Sequence, residues 1–180
     1  MRFIGEAFRA HDPTWSWTPL SGRGAALKGR RFNWPGLETL YLSLGLATVF
    51  REVSAGFAHR LTPYVVCSYD VDCDDIVDLR TEAARARHGV ALERLGCAWG
   101  DALIGGREPD SWAVVRRLLA DGRAGMLVPS FANGATAEDH NLVLWHWGPD
   151  RPHRVAVYDP TGKLPRDQQS CRVSRGEGDG

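Results

Sequence analysis

The chain has no excess of charge of either sign. Its 22 Lys and Arg cancel its 22 Asp and Glu, so its overall balance does not hold it on a phosphate backbone or an anionic membrane. A direct nucleic-acid role is not expected. Long apolar runs are also lacking, and the opening residues, MRFIGEAFRAHD, already carry charges. That argues against a secretory leader or a membrane span and makes the cytoplasm the expected location. Cysteine is scarce: Cys67, Cys73, Cys97 and Cys171 are irregularly spaced and contain no Cys-x-x-Cys pair. A zinc ribbon and a disulfide scaffold are thereby disfavoured, and reduced thiols, two or three of them in the core, are expected. The six histidines include no His-Glu-x-x-His pattern. His140 and His146 could share one face of a strand, but no third ligand accompanies them, and no metal is expected. Asp70, Asp72 and Asp74 alternate like the start of a calcium loop, yet Asp75 stands where the glycine is needed and Thr81 at the twelfth position. A solvated turn is the expectation there.

What is present fits one folded domain. The 180 residues are 43% apolar, 24% charged and include seven Trp, enough for a single substantial core. Strands are expected near Ile4 to Arg9, Thr39 to Ser43, Tyr64 to Val71, Asp75 to Leu79, Ala124 to Val128, Asn141 to Trp147 and Val155 to Tyr158. Leu46, Val49, Phe50, Val53 and Phe57 recur at helical spacing. A second helix is marked from Ser111 to Ala120, with Pro109 and Asp110 before it and Gly122 after it. The stretch from His11 to Asn33 reads as a long loop, rich in Gly, Pro, Ser and Trp. No repeat or domain boundary is visible, and strands interleaved with a few helices predict an α/β or α+β fold, not a regular βαβ array.

The chemistry concentrates between Pro19 and Val53, PLSGRGAALKGRRFNWPGLETLYLSLGLATVFREV. Gly22 to Gly29 is glycine-rich and basic but lacks the Gly-Lys-Ser/Thr ending of a P-loop. Arg31 lies beside Arg30 and Lys28 in a loop with Gly24, Gly29 and Gly36, where a guanidinium fork could grip a pyrophosphate; a solvated basic loop is the plainer reading. Tyr41 offers an aromatic face on which a nicotinamide ring could lie, with its hydroxyl free, although a strand Tyr is usually packing. Glu52 lies off the apolar stripe of its helix, beside Gly45 and Gly56, with no cation at three or four positions. A surface glutamate is the plainer reading for it. Downstream, Met126 to Gly134 (MLVPSFANG) ends a strand in a polar loop carrying Ser130 and Asn133. No Gly-x-Ser-x-Gly elbow is present, so Ser130 reads as a hydrogen-bonding residue or a turn former and not as a nucleophile.

The ordered set GRRFN, LYLS with Tyr41 ten positions after Arg31, FREV with Glu52 eleven positions later, and VPSFAN before NLVLW resembles the RES domain, named for its Arg, Glu and Ser. The similarity runs from about Phe8 to Pro165 and includes PLSGRGA, IVDLR and DPTGKLP. It divides the chain into a RES domain over residues 1–165 and a polar tail over 166–180. One departure is visible: the family pattern has two glycines before the arginine, whereas here Gly29 is followed by Arg30.

The resemblance implies an ADP-ribosyltransferase-like fold, a split mixed β structure clasping NAD⁺ between two sheets. It implies Arg31, Tyr41, Glu52 and Ser130 as the active-site set, with Arg9, Arg30 and Asn133 as further NAD⁺-binding residues. The activity implied is a toxin's cleavage of the nicotinamide–ribose bond of NAD⁺, with water or phosphate as acceptor, without a metal. A mono-ADP-ribosyltransferase acting on a protein, and an inactive binding protein, are the alternatives. The implied partner is an antitoxin with an Xre-like helix-turn-helix part that covers the site.

Overall fold

The computed structural model describes residues 1–54 and 63–168. Within them the strands are β1 (Phe3–His11), β2 (Leu40–Ser43), β3 (Val65–Cys73), β4 (Ile76–Asp78), β5 (Gly125–Pro129), β6 (His140–Leu144) and β7 (His153–Val157). The helices are α1 (Arg23–Lys28), α2 (Leu46–Ser54), α3 (Glu82–Arg87), α4 (Leu92–Leu95), α5 (Trp99–Ile104) and α6 (Asp110–Ala120). All seven strands join one mixed sheet in the order β4-β5-β6-β2-β1-β3-β7, in which only β4 and β5 run parallel.

The expected two-sheet split therefore takes another form. β1 pairs with β3 along its whole length, from Phe3 opposite Cys73 to His11 opposite Val65, but meets β2 at a single position, Phe8 opposite Ser43. Two strand groups are thus joined by one narrow seam, and the backbone at that seam is free to diverge.

Period-two alternation assigns the core residues to the two faces. Leu40, Leu42, Leu127, Leu142 and Leu144 pack with Tyr69 and Val71 on one face, against partly buried Leu20, Trp147 and Leu164 from the loops. Met126, Val128, Val143 and Trp145 point to the other, where Val115 and Leu118 of α6 and Leu95 of α4 cover them. Strands β5 and β6 are buried on both faces, which is why they read as near-continuous apolar runs.

Several local expectations need correction. The supposed loop from His11 to Asn33 contains a short 3-10 turn at Pro13–Trp15 and the helix α1. Its composition hid a helix of only six residues, too short to show a periodic stripe. Helices α3, α4 and α5 were not foreseen for the same reason. In α2 the buried residues are Thr48 and Val49, while Leu46 and Phe50 of the expected stripe are about half exposed. The expected continuation of the stripe to Phe57 lies outside the described residues, as does Cys171. Cys67 and Cys73 are buried free thiols, and burial pushes Cys73 up to about 12. The acidic run at the end of β3 is partly exposed and pairs with cations: Arg2 with Asp72, and Arg151 with Asp74 at 2.7 Å. No described helix is long and apolar enough to cross a membrane.

Candidate active site

A cleft of about 480 Å³ opens along the seam. Phe8, Arg9 and Ala10 of β1 line it, with Tyr41 and Ser43 of β2, Val49 and Glu52 of α2, Arg30 and Arg31 of the loop after α1, Trp99, Asn133 and Asn141. Six of the seven residues expected at the site, Arg9, Arg30, Arg31, Tyr41, Glu52 and Asn133, thus share one cavity, although they are as much as 124 positions apart in sequence (Arg9 to Asn133). Ser130 is adjacent but does not line the cavity.

The arginine loop is fixed by its carbonyls. Gly29 closes α1 at φ 72°, and a Cβ there would lie 3.0 Å from Pro35 Cδ, so the turn requires glycine. Trp112 Nε1 donates to the Arg30 carbonyl at 2.9 Å, Trp145 Nε1 to that of Phe32 at 3.1 Å, and the Ser111 hydroxyl to that of Arg31. Asn33, fully buried, donates through Nδ2 to the carbonyls of Ala25, Trp34 and Leu37.

The Tyr41 hydroxyl is not free, contrary to the sequence expectation: it donates to Asn33 Oδ1 at 2.9 Å and accepts from the Phe32 amide at 3.1 Å. Burial pushes this phenol well up, keeping it a donor. Tyr41 therefore holds the arginine loop with its hydroxyl and lends only its ring to the cavity.

The arginines are held by carbonyls. Arg31 Nη1 donates to the carbonyls of Cys97, at 2.6 Å, and Leu95, at 3.2 Å, and its guanidinium lies 4.9 Å from the Phe131 ring centroid. Arg9 Nη1 donates to those of Ser21 and Pro19. Neither they nor Arg30 forms an ion pair with a described residue. Burial, then the charge of Arg9, holds the nearby His11 down at about 4, so it is neutral beside Tyr69 at neutral pH. Among the described residues the cavity thus carries three guanidinium groups against one lining carboxylate, in a chain of zero net charge.

That carboxylate is oriented on one oxygen. Glu52 Oε1 accepts from Ser130 Oγ and from Asn141 Nδ2, each at 2.7 Å. Its Oε2 has no hydrogen-bond partner among the described residues. Ser130 is buried and donates its hydroxyl proton to Glu52, so it acts as a hydrogen-bonding residue that orients the carboxylate.

The loop bearing Ser130 is clamped by a residue that sequence reasoning missed. Buried Asp139 accepts from Thr48 Oγ1 and Arg51 Nη1 of α2, both at 2.7 Å, and from the amide and hydroxyl of Thr136. These donors hold it well below the usual carboxylate range, the Thr136 amide foremost. Arg51 thus pairs with Asp139 and does not line the cleft, and Asp139 ties α2 to the 130–139 loop. Asn141 and Ser43 were missed as well; their pairing depends on the β2–β6 register, which no local pattern shows.

Among the described residues no group of three or more His, Cys, Asp or Glu could hold a metal ion. His146 lies beyond β6, with its ring 6.4 Å from that of His153. A second, shallower cleft of about 420 Å³ lies near Trp147 and His153, away from these groups.

No curated protein matches the sequence. In fold the chain is similar to one in the crystal structure of the M. tuberculosis MbcT–MbcA toxin–antitoxin complex, with a TM-score of 0.58 and 23% identity over 88% of this chain and 84% of that one. The model of the RES domain matches residues 6–167, almost the whole chain, and the protein belongs to the RES domain family.

Proposed function

We propose that this protein is a toxin that cleaves the nicotinamide–ribose bond of NAD⁺ in the seam cleft. The observation that carries the proposal is the Glu52 carboxylate, fixed at Oε1 by Ser130 and Asn141 and lining a cavity that also holds three arginines.

The cavity's chemistry fits the dinucleotide. Arg31 and Arg9, held by carbonyls, retain further N–H groups for a diphosphate, and Arg30 at the exposed rim supplies a third cation. The ring of Tyr41 is available for stacking on nicotinamide, and Trp99, Phe8 and Phe131 add apolar wall.

Nicotinamide in NAD⁺ is already a cationic leaving group, so no general acid is needed. The C1′–N bond breaks with both electrons passing to the ring nitrogen, and positive charge grows on the ribose. Glu52, through Oε2, stabilises that charge and holds a ribose hydroxyl. Water attack at C1′ yields ADP-ribose, nicotinamide and one proton; phosphate attack yields ADP-ribose 1″-phosphate and nicotinamide. The protein's part is electrostatic and positional.

The partner proposed is an antitoxin with an Xre-like helix-turn-helix part that covers the cleft. The toxin–antitoxin complex containing the fold neighbour supports that reading. The cytoplasm, where NAD⁺ is abundant, is the proposed site of action.

The test is incubation of the purified chain with NAD⁺, with and without phosphate, following products by mass spectrometry. Free nicotinamide that disappears in Glu52→Ala supports the proposal, and the ribosyl product names the acceptor. ADP-ribose retained on a protein would replace it with a transferase, and binding without nicotinamide release would replace it with an inactive binder.

A further inference from the structure

We infer that Asn141 is a positioning residue for the cleavage reaction, acting through Glu52; the inference rests on the proposed NAD⁺ cleavage. Ser43 and Asn141 sit directly opposite each other in the β2–β6 register, on the cleft face of the sheet. Ser43 Oγ donates to Asn141 Oδ1 at 2.9 Å, and Asn141 Nδ2 donates to Glu52 Oε1 at 2.7 Å. The amide can face only one way: an ionised carboxylate accepts but cannot donate, so the NH₂ must point to Glu52, and the carbonyl is left to a hydroxyl that can donate.

The chain Ser43–Asn141–Glu52 begins on buried sheet backbone, Ser43 being 7% exposed, and ends on a helix side chain with an exposed carboxylate. A glutamate has three rotatable bonds between its backbone and its carboxylate. Two donors converging on Oε1 from different elements, Asn141 on β6 and Ser130 after β5, remove that freedom and leave Oε2 without a partner among the described residues, on a side chain that lines the cavity. Ser130 alone fixes a distance. Asn141 adds the second point that fixes the carboxylate plane. Such preorganisation matters most where charge develops, so its loss lowers the rate of the chemical step without weakening substrate binding.

The experiment compares wild type with Asn141→Ala, Ser43→Ala and the double variant, measuring nicotinamide release for kcat and KM and calorimetric titration of NAD⁺ for affinity and stoichiometry. Expected are a kcat at least about tenfold lower in N141A with KM and Kd within about twofold and one site per chain, which excludes a loss of folded protein. S43A, which leaves the amide unanchored, lowers kcat by about two- to fivefold, and the double variant is no worse than N141A, since both act on one group.

A kcat within about threefold of wild type in N141A overturns the inference. So does a raised KM with kcat kept, which would make Asn141 a direct substrate contact, and so do additive losses in the double variant. If wild type itself releases no nicotinamide, the proposed function falls together with this inference; if wild type is active and N141A matches it, this inference alone falls.

Discussion

Tyr41 joins the arginine loop to the sheet through one oxygen, and a single-atom change tests this. Tyr41→Phe keeps the ring but leaves the Phe32 amide and Asn33 Oδ1 unpaired, a loss of about 1–3 kcal/mol. For a chain of this size that lowers the melting temperature by about 3–8 °C, measured by calorimetry. Because the ring is retained, Y41F keeps more activity than Tyr41→Ala; equal activities would show that the ring contributes nothing. Glu52→Gln keeps the shape of its residue and removes its charge, and nicotinamide release is expected to fall about a hundredfold or more with little change in KM. His11 offers a pH test. Its pKa in the folded protein is about 4, below the ordinary 6.5, because burial and Arg9 oppose its charging. The unfolded chain therefore binds more protons between these values, so the His11 contribution is fully present above pH 6.5 and fades as pH falls toward 4. It amounts to about 3 kcal/mol over that window. Denaturation midpoints of His11→Gln should converge with wild type as pH drops from 7 to 4.5, and a constant gap would refute the burial account.

At the scale of elements, the contact that decides site geometry is the one between α2 and the 130–139 loop. Asp139 receives donors from both, and Glu52 and Ser130 are then brought within hydrogen-bond reach across the junction. Asp139→Ala is expected to lower kcat by about tenfold or more although residue 139 does not line the cleft, because a displacement of about 1 Å at Glu52 is enough to do so. Crystal structures or amide exchange of D139A should show a loosened loop; an unchanged kcat would mean that other contacts set the geometry. The sequence showed each of these elements with different clarity. α6, with Pro109 before it and Gly122 after it, and the apolar β5 carry strong local signals. α1, α4 and α5 are six residues or fewer, too short for a periodic stripe to show. Asp139 and Asn141 were illegible as site supports because their partners lie about 90 positions upstream.

For the whole molecule, charge is distributed so that a neutral chain carries a local positive pocket, three arginines facing one glutamate. Ligand binding there should stabilise the fold by mass action. In the Glu52→Gln protein, which leaves the dinucleotide intact, NAD⁺ at a hundred times its Kd should add about 2.7 kcal/mol, or about 5–10 °C in melting temperature. No shift would show that the cleft is not a dinucleotide site. Rising salt should raise KM for NAD⁺ while leaving kcat nearly unchanged, because screening weakens diphosphate capture at the exposed rim more than short-range contacts inside the cleft.

The sequence by itself determined the apolar strands, helix α6 and, through an ordered set of motifs, the family; it nominated Arg31, Tyr41, Glu52 and Ser130, of which the first three line the cleft. These are readable because periodicity, caps and motif spacing are properties of short stretches of chain. Only the tertiary structure decided that β1 and β2 meet at one position, so that a cleft opens between them. It also decided that the hydroxyls of Tyr41 and Ser130 serve protein groups, that Asn141 donates to the Glu52 carboxylate, and that Asp139 ties α2 to the 130–139 loop. Hydrogen-bond partners are set by strand register and by helix docking, and both depend on contacts between residues far apart in the chain.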